Sequence, residues 1–512
     1  MSALLEEIAA RAPAHCAIID GARRWTYDEL RRDVLRTATA LANSGVRHGD
    51  RVGILAGNRA EWIVTYFATM HLGAIAVGLN TWSSARELAY QLAHADVSLL
   101  FLEPRFRDRD FIELFNAANA IAPGLPRLRG LVTFDDSNGF ASEFTAWRQD
   151  AAESANDAVA AAAPDDVACL LYTSGSTATP KGVPLLHADL IDNMWEIGQR
   201  QHLVSTDRLW LAVSLFWSLA CVNALFAAVT HGATIVLQHH FDPTAALELI
   251  ASERCSVFYG TPNMVLALSE HARFREFDLG ALRTGVTIGT PAQVERAAAL
   301  GIPGICNVYG LTEAYGNSTV TDAGLPLAKR IETVGQALPG VRIAIRDPAS
   351  GASLPAGTAG EIVLYGRVTP GYWHDPERTA EATSRDGGFR TGDLGLLDAQ
   401  GYLYYRGRLK EMVKTGGINV APAEVEQVLS AHPAVELAFV TALPDPRLDE
   451  ILVAVIVPRR GATTDAAALT AHCRASLAAY KTPRQFRFVD PAGLPLTSTG
   501  KLERKRLPEL FT

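Results

Sequence analysis

A run of hydroxyl residues and glycines that ends in a lysine follows an apolar segment in the first half of the chain. The apolar segment VACLLYT (167–173) is followed directly by SGSTATPKG (174–182). Small side chains let backbone amides and hydroxyls approach polyphosphate oxygens, and Lys181 supplies a mobile positive charge. The spacing is not that of the G-x-x-x-x-G-K-[ST] loop, so the segment predicts a phosphate-binding loop of another kind.

Later motifs carry side chains suited to the same substrate. NVYGLTE (307–313) places the carboxylate of Glu313 shortly after an apolar run. FRTGD (389–393) adds a carboxylate, whereas GRLK (407–410), KTGG (414–417) and PLTSTGK (495–501) add positive charge. Only seven of the 47 basic residues are lysines, and four of these seven lie in the motifs. A lysine kept against such a bias is a candidate for chemistry, because a flexible ammonium differs from a guanidinium.

Together these motifs resemble those of the adenylate-forming superfamily, which includes acyl-CoA synthetases, the adenylation domains of peptide synthetases, and luciferases. The resemblance covers essentially the whole chain, with the motifs in family order and spacing. It implies an AMP-forming acid–thiol ligase that uses ATP, Mg²⁺ and coenzyme A to form an acyl-AMP and then an acyl-CoA. The chain departs from the family at Ala178, where glycine is usual, and at Thr290, where alanine or glycine is more common.

The resemblance implies a nucleotide site and four catalytic residues. Tyr309 would stack on adenine, and Asp393 would accept the ribose hydroxyls with help from Arg408. Lys501 would bridge the carboxylate and the α-phosphate. The implied catalytic residues are Lys501, Thr312, Glu313 and Lys181, with Glu313 as the metal ligand. The implied ATP- and AMP-binding residues are Thr173, Ser174, Gly175, Ser176, Thr177, Lys181, Gly289, Thr290, Pro291, Asn307, Tyr309, Gly310, Thr312, Asp393 and Arg408.

The resemblance also implies a second set of residues for transfer to the thiol. Lys410 matches the hinge about which a small C-terminal domain rotates after adenylation. The residues expected to meet the CoA arm after that rotation are Lys414, Gly416, Gly417 and Glu424.

The resemblance also implies that residues 214–220 line the acyl pocket, so this segment indicates which class of acid is activated. Residues 214–220 (SLFWSLA) contain no acidic side chain. An amino-acid substrate would leave its ammonium unpaired in a buried pocket, so such a substrate is disfavoured. The residues expected to border an apolar cavity are Trp217, Asn223, Tyr259, Gly260, Tyr315 and Gly316. An alicyclic, aromatic, terpenoid-like or medium-chain fatty acid would suit it. The alternatives are a ligase that loads a carrier-protein thiol and, in a different class, a non-catalytic nucleotide-binding protein.

Composition excludes several other classes. The 512 residues are 48% hydrophobic and 20% charged, with a net charge of −8, which argues against a nucleic-acid or anionic-membrane binder. Six singly spaced cysteines and an N-terminus without signal-peptide order predict a reduced, cytoplasmic protein.

Residues 209–241 contain no Asp, Glu, Lys or Arg, but a buried strand, helix and strand explain them at least as well as a membrane span. The family resemblance allows a homodimer.

The elements that position these motifs alternate between apolar strands and amphipathic helices, which predicts an α/β fold. We expect a large N-terminal adenylation domain (1–407) of parallel-rich sheets covered by helices. From about 335 to 407, short strands between Gly and Pro turns predict a β-rich subdomain. Residues 408–512 predict a small mobile α+β domain. The Ala-rich segment 150–164 predicts a surface helix or linker.

Overall fold

The computed structural model describes residues 1–122, 127–149, 151, 162–173, 180–415, 418–445, 447–477, 479–497 and 502–511. Most of the Ala-rich segment 150–164 therefore lies outside the described residues. So do Ser174, Gly175, Ser176, Thr177, Gly416, Gly417 and Lys501, and the Lys414 side chain.

Within the described residues, four larger sheets and one two-stranded sheet contain the strands, which are numbered here along the chain. The first sheet contains β1 (Cys16–Asp20), β2 (Arg23–Thr26), β12 (Arg208–Leu211), β13 (Thr234–Leu237), β14 (Val257–Tyr259), β15 (Thr284–Thr287), β16 (Gly304–Tyr309), β17 (Thr319–Val320) and β18 (Gln336–Ala337). The second contains β3 (Arg51–Leu55), β4 (Ile75–Gly78), β5 (Val97–Leu102), β8 (Gly130–Thr133), β9 (Ser142–Glu143), β10 (Val167–Thr173) and β11 (Lys181–Leu186). The third contains β19 (Val341–Arg346), β20 (Gly360–Gly366), β21 (Phe389–Leu397) and β22 (Leu403–Arg408). The fourth contains β23 (Val413–Thr415), β24 (Ile418–Val420), β25 (Val435–Asp445), β26 (Asp449–Pro458) and β27 (Gln485–Phe488). Separately, β6 (Arg105–Phe106) and β7 (Arg109–Asp110) form the two-stranded sheet.

Helices cover the sheets and connect their strands. They are α1 (Ser2–Arg11), α2 (Tyr27–Asn43), α3 (Ala60–His71), α4 (Ala85–His94), α5 (Phe111–Ile121), α6 (Phe144–Trp147), α7 (His187–Arg200), α8 (Leu225–Thr230), α9 (Pro243–Ser252), α10 (Pro262–Ser269), α11 (Pro291–Ala299), α12 (Leu327–Glu332), α13 (Pro376–Ala382), α14 (Pro422–Ser430) and α15 (Ala466–Ser476). A π-helical turn, Ser218–Ala224, leads directly into α8.

The spatial strand orders confirm the predicted α/β class. The first sheet runs β18-β17-β16-β15-β14-β12-β13-β1-β2. All neighbouring strands from β16 to β1 in this order pair in parallel. The second runs β11-β10-β4-β3-β5-β8-β9, with β10 and β11 antiparallel at one edge. The third sheet is wholly antiparallel, as expected for the β-rich segment. The predicted domain boundaries themselves stay a prediction.

Local signals in the sequence account for several element boundaries. Thr26 and Glu29 form a capping box at the start of α2, with Thr26 N donating to Glu29 Oε2 at 2.8 Å. The strand predicted over 167–173 is β10. α15 ends at Ser476, after an N-terminus where the Asp465 side chain accepts from Ala468 N.

The uncharged stretch 209–241 forms the predicted strand, helix and strand. It contains β12, the π-helical turn with α8, and β13, and α8 and β13 are buried throughout. Within the described residues, no helix is both long and apolar enough to cross a membrane. These residues are buried because β12 and β13 are interior strands of the first sheet, with a neighbouring strand on each side.

Asn58 joins the first two sheets into one unit. Its Nδ2 donates to the carbonyl oxygens of Val213 (3.0 Å) and Gln238 (3.1 Å), and its Oδ1 accepts from Leu215 N at 2.8 Å. The side chain is 1% exposed, so all three bonds are shielded from water. The sheets share one continuous apolar core, whereas β23–β27 with α14 and α15 surround a separate one.

Candidate active site

Strands β14, β15 and β16 end at the same edge of the first sheet, and the predicted motifs follow them there. Because β14–β15 and β15–β16 pair in parallel, their carboxyl ends and the loops after them lie side by side. The third sheet contributes β21 and β22, and the second contributes the start of β11. Segments far apart in sequence therefore meet at one edge.

A buried carboxylate forms the centre of the predicted nucleoside site. Asp393 lies on β21 and is paired in register with Arg408 on β22. Tyr309 Oη donates to Asp393 Oδ2 at 2.8 Å, and Arg408 Nε lies 2.8 Å from Asp393 Oδ1. Burial raises the pKa of Asp393, although the Arg408 guanidinium and the Tyr309 hydroxyl act to lower it. The site therefore keeps a desolvated acceptor beside an aromatic ring, a combination that suits ribose and adenine.

The aromatic side of this site contains a ring that the sequence did not point to. The Tyr405 and Tyr309 rings lie 5.7 Å apart, tilted by 31°. Tyr405 is 40% exposed, and Tyr309 is buried beneath it. Tyr405 lies in the segment YLYYRGR (402–408), where three tyrosines carry no signal that singles one out.

A second cluster, which we call the Lys181–Tyr372–Glu313 cluster, lies on the phosphate side. Tyr372 Oη donates to Glu313 Oε1 at 2.8 Å, and Lys181 Nζ donates to Tyr372 Oη at 3.4 Å. Burial lowers the pKa of Lys181, opposed by the Glu313 charge. Burial and the Glu313 carboxylate raise the pKa of Tyr372, so its hydroxyl stays a donor. Sequence reasoning missed Tyr372, which is 191 residues from Lys181 and 59 from Glu313.

The turn between the two clusters is tightly constrained. Thr312 Oγ1 donates to Ser218 Oγ at 3.4 Å, which joins this turn to the π-helical turn before α8. Tyr315 has a left-handed backbone (φ 54°), and Gly316 follows with φ 87°. A Cβ on Gly316 would overlap Asn223, and one on Gly310 would overlap the Gly316 carbonyl. Close backbone approach therefore requires glycine at 310, whereas at 316 the positive φ and the adjacent Asn223 side chain favour it.

Two other segments assigned to the nucleotide have internal roles as well. Thr290 begins α11, with its N–H donating to Gln293 Oε1 at 2.9 Å, and Gly289 and Pro291 flank it. Asn307 is 2% exposed and its Nδ2 donates to Thr333 O at 3.0 Å. Because the Asn307 side chain is used inside the protein, its contact with nucleotide stays a prediction.

Several of the predicted acyl-pocket residues have side chains that are hydrogen-bonded inside the protein. Asn223 Oδ1 accepts from Asn317 Nδ2 at 2.8 Å, and Gly316 packs against Asn223. The Tyr259 and Tyr315 side chains are fully buried, and their hydroxyls accept from Gln201 Nε2 (2.7 Å) and Leu186 N (3.1 Å). Their backbones and the adjacent Gly260 and Gly316 are therefore the parts that could border a cavity.

Trp217 is half-buried and belongs to a group of three aromatic side chains. Its ring lies 5.3 Å from Trp82 and 5.6 Å from Phe216, and the Trp82 and Phe216 rings are 5.2 Å apart. Trp82 follows β4 of the second sheet, whereas Phe216 and Trp217 follow β12 of the first. Sequence reasoning identified Trp217 but not Trp82, because only the packing of the two sheets brings them together.

Of the residues assigned to hinge and thiol transfer, Lys410 and Glu424 lie within the described part of the chain, next to the first strands of the fourth sheet. Lys410 belongs to a short 3₁₀ turn, Leu409–Glu411, between β22 and β23. Glu424 begins α14, and Lys481 Nζ donates to both of its oxygens at 2.6 and 2.8 Å. Their roles in thiol transfer stay predictions.

The residues at the site fit a single magnesium ion delivered with a nucleotide. Within the described ranges, no group of three or more His, Cys, Asp or Glu side chains could hold a metal by itself. Glu313 is one buried carboxylate with a hydroxyl donor on Oε1. Mg²⁺ is usually bound by one or two carboxylates, substrate phosphates and water, which matches this donor set.

Comparisons with known proteins agree with this geometry. Residues 5–373 match the family model for AMP-binding enzymes, and residues 424–501 match that for the AMP-binding enzyme C-terminal domain. The chain is 33% identical to the putative acyl-CoA synthetase YngI of Bacillus subtilis (strain 168), covering 99% of this chain and 96% of that protein. It is 36% identical to a feruloyl-CoA synthase of Amycolatopsis sp, covering 98% and 96%.

Solved structures show the same architecture. ATP-bound MatB from Rhodopseudomonas palustris superposes with a TM-score of 0.87 at 29% identity, covering 100% of this chain and 99% of that one. The anthranilate CoA ligase AuaEII in complex with anthranoyl-AMP gives a TM-score of 0.88 at 29% identity, covering 99% and 96%. The chain belongs to the AMP-binding enzyme family, whose members are adenylate-forming enzymes. Within that family it is an AMP-forming acid–thiol ligase, and the substrates of this class are a carboxylic acid, ATP and CoA.

Proposed function

We propose that this enzyme activates an apolar ring-bearing or medium-chain carboxylic acid as its acyl-adenylate and transfers it to CoA. ATP as the nucleotide substrate is supported by the short distance along the chain between the nucleoside site around Asp393 and the Lys181–Tyr372–Glu313 cluster. Tyr309, in the nucleoside cluster, and Glu313, in the phosphate cluster, are four residues apart, so at most about 14 Å of chain separates them. A single ATP molecule would therefore contact both clusters.

The adenine and ribose of ATP would be bound by side chains that form and break no covalent bond in the reaction. The Asp393 carboxylate has about four lone-pair positions, of which Tyr309 and Arg408 use two, so acceptors remain for the ribose hydroxyls. Tyr309 and Tyr405 offer aromatic faces to the adenine. These contacts orient the α-phosphate toward the acid, and such positioning supplies much of the rate in this type of reaction.

The phosphate end supplies electrostatic stabilisation. The acid carboxylate attacks the α-phosphate, pyrophosphate leaves, and an acyl-AMP forms. Lys181 and Lys501 would offset the charge that develops on the phosphoryl oxygens, and Thr312 would contact the α-phosphate. Mg²⁺ bound with ATP would take Glu313 as a ligand and neutralise phosphate charge. No protein nucleophile is needed, because the attacking group belongs to the substrate.

The second half-reaction would use the small domain in a different orientation. Rotation about Lys410 would remove Lys501 and bring Lys414 and the adjacent glycines to the site. The CoA thiol then attacks the mixed anhydride, and AMP leaves. Glu424 is neutralised by Lys481, so the start of α14 does not present an unpaired negative charge to the phosphates of CoA.

The acid is inferred from the pocket region. Trp82, Phe216 and Trp217 form an aromatic group beside the predicted pocket, and no acidic side chain lies within 214–220. The feruloyl-CoA synthase and the anthranilate CoA ligase are both named for aromatic acids. An aromatic or alicyclic acid is thus the best-supported choice, with terpenoid-like and medium-chain fatty acids as further members of the same apolar class. A homodimer and a cytoplasmic location stay predictions.

The test is mass spectrometry of the enzyme with Mg·ATP and a pool of carboxylic acids, with and without CoA. A new acyl-CoA mass, together with AMP and pyrophosphate, would support the proposal and identify the acid. Acyl-AMP that persists in the presence of CoA would instead indicate a carrier-protein thiol as the acceptor. If only hydrophilic amino acids gave acyl-AMP, the assignment of the pocket would be wrong.

A further inference from the structure

Residues 369–373, which we call the strap, join the two segments that carry Lys181 and Glu313. The backbone N–H of Thr369 donates to Glu313 O at 2.6 Å, and its Oγ1 donates to Pro184 O at 2.8 Å. At the other end, Trp373 N donates to Gly182 O at 2.8 Å. The strap is therefore bonded both to β11, which begins at the lysine, and to the turn that carries the carboxylate.

Tyr372 is the strap residue whose side chain contacts both charged groups. Its hydroxyl donates to Glu313 Oε1 (2.8 Å) and accepts from Lys181 Nζ (3.4 Å), and the ammonium lies 4.4 Å from the centre of its ring. The side chain is 8% exposed, and its backbone N–H donates to Thr379 Oγ1 at 2.8 Å. Tyr372 is thus held through both its side chain and its backbone.

The hydroxyl stands between opposite charges that would otherwise attract each other directly. A lysine and a glutamate each lose considerable rotamer freedom when they are held in one geometry, so an unaided pair would sample several arrangements. With the hydroxyl in place, Glu313 receives a donor on one oxygen and Lys181 receives an acceptor without binding that carboxylate. Both charges then stay available for a substrate.

We propose that Tyr372 is a positioning residue for the adenylation half-reaction. Its hydroxyl holds the Glu313 carboxylate and the Lys181 ammonium apart and in fixed orientations, so that both engage the triphosphate of Mg·ATP. The inference rests on the roles given to these two residues in the proposed function. Groups that orient metal-binding side chains from behind typically change affinity or activity by about 10–100-fold when they are removed.

The test compares Tyr372→Phe with a matched control, Tyr404→Phe. Phenylalanine keeps the ring under Lys181 and removes only the hydroxyl. Tyr404 has the same kind of partners away from the site, because its hydroxyl accepts from Lys329 Nζ (3.2 Å) and donates to Asp398 Oδ2 (3.4 Å). The two variants therefore lose equivalent hydrogen bonds in different places.

Nucleotide affinity, metal binding, half-reaction kinetics and the melting temperature together separate a positioning role from a packing role. Calorimetric titration with Mg·ATP, without any acid, measures nucleotide affinity, and electron paramagnetic resonance with Mn·ATP measures metal binding. Kinetics then compare pyrophosphate release with the conversion of supplied acyl-AMP to acyl-CoA. We expect Tyr372→Phe to weaken Mg·ATP binding about tenfold or more and to slow pyrophosphate release, with the second half-reaction and the melting temperature unchanged. Tyr404→Phe should behave as the wild type in both half-reactions.

Two results would overturn the inference. Wild-type affinity for Mg·ATP in Tyr372→Phe would show that the hydroxyl positions nothing. Equal losses in both half-reactions, with a lowered melting temperature, would show that the residue only supports packing. A wild-type enzyme that fails to bind Mg·ATP at all would instead refute the proposed function, and this inference with it.

Discussion

Replacement of Asp393 by asparagine is expected to separate the stability of the fold from the affinity for ATP. The Asp393 carboxylate is 3% exposed, and burial raises its pKa despite the nearby Arg408 guanidinium and Tyr309 hydroxyl. Asparagine keeps the shape of the side chain and can still accept from Tyr309. It removes the buried charge, and it leaves Arg408 without a partner at a position where the guanidinium is largely exposed.

The size of the effect on stability depends on pH. An acid whose pKa is raised by folding contributes stability below its unfolded pKa, and that contribution is lost as the pH rises through the folded pKa. At pH 7 the wild-type carboxylate therefore weakens the fold, whereas asparagine does not. We expect Asp393→Asn to be at least as stable as the wild type at pH 7, with the difference shrinking as the pH falls toward 4.

The effect on nucleotide binding has the opposite sign. A hydrogen bond to a charged group contributes about 1.5–3 kcal/mol, and one between neutral groups about 0.5–1.5 kcal/mol. Weakening two ribose contacts in this way costs about 2–3 kcal/mol, which corresponds to roughly a 30–150-fold rise in the Kd for ATP. Calorimetric titration measures this change, and urea unfolding at pH 4.5 and 7.5 measures the stability.

Asp398→Asn is the matched control. Burial acts to raise the pKa of Asp398, but the backbone N–H groups of Tyr402 and Gln400 and the Lys329 ammonium outweigh it and lower the pKa. This variant should therefore lose stability at pH 7.5 and bind ATP normally. The reasoning about Asp393 is refuted if Asp393→Asn binds ATP like the wild type, or if it is destabilised more at pH 7.5 than at pH 4.5.

Three further predictions concern other parts of the molecule. Lys501→Ala should abolish acyl-AMP formation yet still convert supplied acyl-AMP to acyl-CoA, and equal loss of both half-reactions would contradict its assignment. Gly316→Ala should lower stability by about 2–4 kcal/mol in thermal unfolding, because the added Cβ would overlap Asn223 at a positive φ; an unchanged melting temperature would argue against this. Arg504→Met should cost about 3–5 kcal/mol, because it removes the ion-pair partner of Glu426, which is 5% exposed and keeps only the Val440 N–H as a donor. Adding Glu426→Gln should recover part of that loss, and strictly additive losses would show that the two residues are not coupled.

The sequence by itself determined the class of fold, the order of the motifs and the type of enzyme. Such features depend on local signals, such as the Thr26–Glu29 capping box and the apolar segment that becomes β10. A short-range pattern of this kind favours its own helix or strand, whatever the arrangement of distant parts of the chain. The sequence also contained every charged residue of the nucleoside site, although it did not show that Asp393 and Arg408 face each other across β21 and β22.

Only the tertiary structure decided which side chains face the site and which face the core. Tyr372 reaches Lys181 and Glu313 through a strap whose position depends on bonds to two separate segments, and no local pattern marks it. Asn307 lies in a site motif, yet its amide points inward to Thr333. The physical reason is that a side chain's surroundings are set by the pairing of strands far apart in sequence. A residue's type and its neighbours along the chain do not specify that pairing.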